Sequence, residues 1–359
     1  MNGTNTATSI PASCIFNPTA EPSPAQVIFR GFLAKDELAV WIGHEKCFKT
    51  TAVLNLCICA ALGRDFLGFQ YVAPQPIRVV MFDYESQDNS IHRRYDAICD
   101  AIKLSDGDRD RLRENLKIIE LRKIIHEGQV IPRIDNRQHG EEFWRRAVAD
   151  HPADLYVIDP MRCLHGGAEN DSTIETTLGD IRRIFHSTII IPHHMTKQSR
   201  NPKDNVRLVA DMRLWSDGCR GSGAIKGHSD VIVCQDRVKE DDADVVYLGA
   251  FMKDAGDVDP MPLEESAPDS FLWVPRTKLP EKLHTALDML RKTDIPSWPS
   301  RAAVAGTLMS QGVKRATAFR HVKALIERKC LCEVNVGGFD VRITFPAVVQ
   351  PVEIAPAVV

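Results

Sequence analysis

This chain carries almost no net charge: 45 Lys and Arg stand against 48 Asp and Glu, a formal balance of −3. A global nucleic-acid-binding surface is therefore excluded, and any such contact must come from a local patch. A cysteine framework is also lacking. Ten cysteines are scattered along the chain. The close pairs Cys57/Cys59 and Cys330/Cys332 are spaced C-x-C, unlike the wider pairs that hold zinc. Reduced, buried thiols in a cytoplasmic protein are the expectation. No apolar run is long enough to cross a membrane. Residues 1–25 are rich in Ser, Thr, Asn and Pro and lack the basic-then-apolar order of a secretory signal. Residues 1–27 are expected to form a disordered leader. No internal repeat is present.

What remains is the pattern of a large α/β core. At 359 residues and 44% apolar composition the chain has room for one such core and a small second domain. Apolar strand segments are expected at 38–42, 77–83, 116–121, 154–158, 188–192, 230–234, 245–252 and 270–274. Helical segments are expected at 50–62, 89–102, 140–149 and 171–185. The alternation argues a mostly parallel sheet with crossover helices. Residues 195–218 are polar, basic and aperiodic, and 254–269 are acidic and Pro-rich; both read as loops. Beyond residue 276 the pattern changes to three short helices (282–291, 301–309, 316–327) and two strands (330–335, 341–345). That is the order of a winged helix-turn-helix, expected over 281–346. Residues 347–359 read as a disordered tail.

The stretch Gly43-His44-Glu45-Lys46-Cys47-Phe48-Lys49-Thr50-Thr51 lies between a strand and a helix, the setting of a phosphate-binding P-loop. Backbone N–H groups at a helix start, with the helix dipole behind them, favour an anion. Lys49 would reach the β- and γ-phosphates and Thr50 would ligate Mg²⁺. The usual pattern has Gly immediately before the Lys, and here that residue is Phe48. A side chain is awkward there if the loop needs positive φ.

Further elements fall at the ends of expected strands, where open parallel sheets bind ligands. Glu85 follows one strand and would polarise an attacking water as general base. Asp159 ends a strand apolar on both faces, and Mg²⁺ gives a carboxylate reason to sit there. His193 and His194 end another strand and point to opposite faces, so they are not expected to chelate one metal together. One of the two would contact the γ-phosphate or the water. Arg220 and Lys226 flank a small-residue turn and are candidates for charge stabilisation.

Taken in order, Gly43…Lys49-Thr50, Tyr84-Glu85, Val157-Ile158-Asp159-Pro160, His193-His194-Met195-Thr196-Lys197 and Arg220-Gly221-Ser222-Gly223-Ala224 resemble the RecA-fold ATPases typified by the plasmid RepA hexameric replicative helicase. The resemblance covers residues 28–274, and family members often carry Phe before the P-loop Lys. It implies a RecA-like domain (28–276) that binds ATP and Mg²⁺ in the cytoplasm, assembles as a homo-oligomer, a hexamer in the type member, and acts on DNA. It further implies that Lys49 and Thr50 hold phosphate and metal, Glu85 is the catalytic carboxylate and Asp159 the Walker B residue. His193 and His194 lie at the sensor position, and Arg220 acts in trans as an arginine finger. Related ring helicases place a Lys-x-Arg pair near the next strand. Here Lys253 is present and the Arg is missing, so either Arg220 or Lys253 carries the finger role.

DNA contacts are expected in two places. Lys197, Arg200, Lys203, Arg207 and Arg213 lie on the basic loop, where single-stranded DNA would thread a ring; a solvated flexible loop is the alternative. Lys314, Arg315, Arg320 and Lys323, with Arg328 and Lys329, make one face of the last helix basic and suited to duplex DNA, although winged helices also dock proteins. Val313, Ala316, Phe319, Val322 and Ile326 are read as the apolar face of that helix. The readings that compete with a helicase are a DNA-binding regulatory, loading or recombination ATPase, and a structural DNA-binding protein with a dead nucleotide site. The last requires Glu85 and Asp159 to lie far from Lys49.

Overall fold

The computed structural model describes residues 27–344, apart from 87–88, 129, 137–138, 170, 197–205, 241–242, 254, 277–284, 287–288, 291, 294, 296, 328–330 and 338–339. The chain divides into two compact units, Met1–Pro275 and Arg276–Val359. The expected leader (except Val27) and the expected tail lie outside the described residues, as does most of the first helix expected in the second unit.

In the first unit a short antiparallel pair, β1 (Val27–Phe29) and β2 (Leu33–Ala34), precedes the main sheet. The main elements follow in chain order: β3 (Leu38–Gly43), α1 (Lys49–Leu62), β4 (Val79–Asp83), α2 (Ser90–Ile102), α3 (Asp106–Asn115), β5 (Leu116–Glu120), α4 (Leu121–His126), α5 (Gly140–Asp150), β6 (Leu155–Asp159), α6 (Asp171–Phe185) and β7 (Thr188–His194). They continue with α7 (Met212–Asp217), α8 (Ser222–His228), β8 (Val231–Glu240), β9 (Ala243–Met252), β10 (Val258–Glu265) and β11 (Trp273–Pro275). The sheet has the order β11-β10-β9-β8-β3-β7-β6-β4-β5. From β8 to β5 neighbouring strands are parallel; β9, β10 and β11 extend it antiparallel.

The parallel strands are apolar on both faces because both are covered by helices. Along β3, Ala39 and Trp41 enter the core beneath α1, whereas Leu38, Val40 and Ile42 enter the core on the opposite face. The period of two repeats in β4 (Val79 and Met81 against Val80 and Phe82) and in β6 (Leu155 and Val157 against Tyr156 and Ile158). α1, α2 and α3 pack on the first face; α5, α6 and α8 pack on the second. This layering fixes where the strand ends meet. Gly43 pairs with His194 and Asp83 with Asp159, so the carboxyl ends of β3, β7, β6 and β4 form one rim.

Several expectations need correction. Residues 254–269 were expected as a loop, but 258–265 form β10, paired on both sides, with a register shift between Val258 and Met261. Prolines at 260 and 262 hid it, since a Pro in a strand usually signals an edge or a bulge. The expected aperiodic loop 195–218 contains α7, capped by Asp211. Leu208, Met212 and Trp215 from this segment are buried in the core. The expected small-residue turn after Arg220 is the helix α8, entered through Gly221 in the left-handed region (φ 65°). The strand expected over 188–192 runs on to His194. α3 has the Ser105–Asp108 capping box, a start signal that the charge-rich segment concealed.

In the second unit, the helix Arg301–Ser310 is capped by the Ser300 hydroxyl, which accepts from Ala303 N at 3.2 Å. A short turn through Gly312 (φ 91°) leads into the helix Arg315–Glu327. Strands Cys332–Gly337 and Asp340–Thr344 pair antiparallel, and Ser297–Trp298 adds a third strand. The core takes Ala318, Val322 and Leu325 from the last helix. The expected core stripe is therefore displaced. Val322 is buried and Val313 and Ile326 pack at the margin, but Ala316 and Phe319 are exposed.

Candidate active site

The site begins at the end of β3. A Cβ on Gly43 would run into the Gln235 carbonyl and Cys47 Sγ, so only Gly lets the loop turn back over β8. Gln235 is fully buried and pins the loop from below. Its Nε2 donates to Cys47 O at 2.5 Å, and its Oε1 accepts from Trp41 Nε1 at 2.7 Å. Sequence reasoning missed Gln235, although it stands as an amide directly after the apolar run 231–234. Lys46 and Phe48 take left-handed φ values of 62° and 68°. The awkward conformation foreseen at Phe48 is thus real, at a cost of about 1–2 kcal/mol. The ring supplies compensation: its centroid lies 5.5 Å from that of Trp273, and the Arg237 guanidinium sits 5.1 Å above it. Cys47 is buried and its thiol is pushed up to about 11 by desolvation, so it is inert packing. His44 stacks edge-on against Trp215, while Glu45 and Lys46 are exposed and Thr51 is buried.

Lys49 opens α1 with its ammonium turned into the loop. Nζ donates to Gly43 O at 3.0 Å and His44 O at 2.9 Å, and lies 3.3 Å from His194 Nδ1. Burial, then Lys49, hold His194 below its ordinary pKa. A neutral ring accepting from Lys49 at Nδ1 carries its proton on Nε2. That nitrogen lies 3.9 Å from Glu85 Oε2. His194 therefore stands between the lysine and the carboxylate. His193 points the other way, as alternation requires. Its fully buried Nε2 meets Arg220 O at 3.0 Å, and burial lowers its pKa to about 4.

The acidic part of the rim comes from β4 and β6. The Thr50 hydroxyl donates to Asp159 Oδ2 at 2.6 Å. Asp159 is 1% exposed, and its pKa is pushed up to about 7, first by burial and then by Glu85 and Asp83. Asp83 Oδ1 accepts from the backbone N–H groups of Glu85 and Ser86, each at 3.1 Å, and so shapes the turn that presents Glu85. Tyr84 N donates to Asp159 O at 2.9 Å, and Arg122 Nη1 to Glu85 O at 3.2 Å. These bonds fix the Glu85 backbone while its side chain stays half exposed. The signal for Asp83 was visible as a carboxylate ending an apolar strand two residues before Glu85.

Arg220 is held within the chain by an ion pair with Glu169, a nearly buried carboxylate whose other oxygen lies 4.0 Å from His193 Nδ1. Lys253 is not part of the rim. β9 runs antiparallel, Met252 pairs with Val231, and Lys253 N donates to Asp230 O at the opposite end of the sheet from Gly43. Of the basic loop, Lys197, Arg200 and Lys203 lie outside the described residues. Arg207 is exposed. Arg213 is engaged with Asp257 at 2.5 Å and lies over the Phe251 ring. Lys314, Arg315, Arg320 and Lys323 belong to the second unit, where all four are exposed. Lys226 pairs with Asp217 on the surface.

The donor set suits Mg²⁺ with a polyphosphate. Thr50 and Asp159 offer hard oxygens at one point, and the carboxylates of Asp159, Asp83 and Glu85 leave that point in want of positive charge. When bound, the metal would neutralise phosphate charge. The chain's own contributions are distinct. The Lys49 ammonium and the first N–H groups of α1 would attract the phosphates of a bound nucleotide, and a carboxylate at the Glu85 position could take a proton from a water in front of them.

The model of an AAA domain family matches residues 11–200. No match is found among curated proteins. Among solved structures, a KaiC-like protein from the hyperthermophilic archaeon Pyrococcus horikoshii OT3 is similar, at 12% identity and a TM-score of 0.43, over 70% of this chain and 99% of that one. The family match spans more than half of the chain and falls on the RecA-like part that carries Lys49, Thr50, Glu85 and Asp159; this protein belongs to the AAA-domain family of P-loop ATPases, which bind and hydrolyse ATP.

Proposed function

We propose that this ATPase is a motor acting on DNA, the RepA-type hexameric replicative helicase of a plasmid, phage or other mobile element. Lys49 binds the β- and γ-phosphates, and Thr50 and Asp159 hold Mg²⁺. Glu85 is the general base, and His194, in preference to His193, reports the γ-phosphate. The preference follows from geometry: His194 lies 3.3 Å from Lys49 Nζ, whereas His193 bonds the Arg220 carbonyl on the other face. Arg220 acts on a neighbouring subunit after leaving Glu169. The Arg276–Val359 unit is a winged helix that binds duplex DNA.

One observation carries this reading. A single chain joins the Lys49–Asp159–Glu85 rim to a second unit that exposes Lys314 just before its last helix and Arg315, Arg320 and Lys323 on it. The convergence of Thr50 with Asp159 also counts against a dead nucleotide site. The test is ATP-driven displacement of a strand from a forked duplex, with Glu85→Gln as control. Displacement by the parent protein alone supports the motor. DNA-stimulated hydrolysis without displacement favours the regulatory or loading ATPase instead. For the finger, subunits carrying Arg220→Ala are mixed with subunits carrying Lys49→Ala. Recovery of hydrolysis at mixed interfaces is expected, and no recovery at any ratio would remove Arg220 from that role.

A further inference from the structure

The last helix exposes an aromatic side chain where the sequence called for a core residue. Ala318, Val322 and Leu325 fill the core of the second unit, and this rotates the helix so that Phe319 is 42% exposed. Residues four apart are neighbours on a helix surface. Arg315, Phe319 and Lys323 therefore form one row, with Ala316 and Arg320 beside it, and all five are exposed. Lys314 lies one residue before the helix, and no acidic residue occurs between 312 and 326. A ring left 42% exposed among cationic side chains contributes less to the fold than a buried one, and the row carries an acidic residue only at its end, Glu327. The charge selects a polyanion and the ring selects an apolar spot on it.

We infer that Phe319, assisted by Ala316, reads a thymine methyl group in the major groove of duplex DNA, while the surrounding cations contact phosphates. This rests on the DNA-binding reading and adds base preference to it. An α-helix fits the major groove, and the C5-methyl of thymine is the apolar feature that groove presents. Lys and Arg on the same face would set position and salt dependence without carrying sequence information.

The experiment uses the full-length chain and a pool of duplexes with a randomised centre. The parent protein is expected to enrich a site with thymine at a fixed position. In that enriched duplex, replacing the thymine by uracil removes only the methyl and should weaken binding about four-fold, the value of one buried methyl-sized group. Phe319→Ala, which removes no core contact, should bind thymine and uracil duplexes equally and keep the parental salt slope. Arg320→Ala should flatten the salt slope and keep the thymine preference. Equal binding of thymine and uracil duplexes by the parent, or an unchanged preference in Phe319→Ala, overturns the inference while leaving DNA binding intact. No binding of any duplex at low salt overturns the DNA-binding reading itself and favours a protein partner for this face.

Discussion

Replacing Asp159 by Asn should make the nucleotide-free protein more stable and should remove most of the stabilisation that Mg·ATP brings. Asp159 is buried, and its pKa is pushed up to about 7 from an ordinary 3.8, first by burial. The folded state thus holds a proton between those values that the unfolded chain has released. Stability falls as pH rises through this window, and the whole penalty is present above pH 7. A rise of about three units corresponds to at most about 4 kcal/mol. Asn keeps an oxygen to accept from the Thr50 hydroxyl and carries no charge. At pH 8 its nucleotide-free form should melt several degrees above the parent, at about 3 °C per kcal/mol. The excess should shrink steadily as pH is lowered from 7 to 5. With Mg·ATP the gap narrows. A ligand at a hundred times its Kd adds about 2.7 kcal/mol to the parent, and the variant should forfeit most of this with the oxygen proposed to hold the metal. Thermal melting of both proteins at pH 5, 6, 7 and 8, with and without Mg·ATP, reads all of these terms. An Asn variant less stable than the parent at pH 8 without nucleotide, or one gaining as much from Mg·ATP, would refute the reasoning.

Phe48 should show an unusual ordering in urea denaturation: Phe48→Gly more stable than Phe48→Ala by about 1 kcal/mol, because its φ of 68° suits only Gly without strain; equal stabilities would contradict the left-handed assignment. Gln235→Leu leaves Trp41 Nε1 buried without an acceptor and frees Cys47 O, so a loss of about 1–3 kcal/mol and weaker nucleotide binding are expected in melting and titration experiments. His193 is buried neutral with a pKa of about 4, so the unfolded chain takes up its proton first and stability falls as pH drops from about 6.5 to 4. His193→Asn should reduce that acid limb by at most about 3 kcal/mol, and parallel acid melts of the two proteins would show an unchanged limb if the assignment is wrong.

The central strands were legible because burial on both faces leaves long apolar runs, as in residues 155–158, and because a charged residue at such a run's end stands out. Asp159 and Glu85 could be read that way, and His193 and His194 could be assigned opposite faces from strand period alone. Which of the two faces Lys49 could not be read, since that depends on the register between β3 and β7. Gln235 escaped because its role is to bond a loop distant in sequence. β10 escaped because its prolines mimic a loop, and α7 because six residues are too few to show a helical period. Phe319 was misplaced because a helix with apolar residues at 313, 316, 318, 319, 322, 325 and 326 admits two overlapping stripes, and only packing against Val304 and Leu308 selects between them.

The most direct test of the account is phosphate release from Mg·ATP by the purified protein, measured beside nucleotide binding in Lys49→Ala and Glu85→Gln. The parent should hydrolyse ATP. Lys49→Ala should neither bind nor hydrolyse it, and Glu85→Gln should bind it with turnover reduced about 10²- to 10⁴-fold. Undiminished turnover in either variant would contradict the claim that lysine, hydroxyl and carboxylates act on one bound nucleotide.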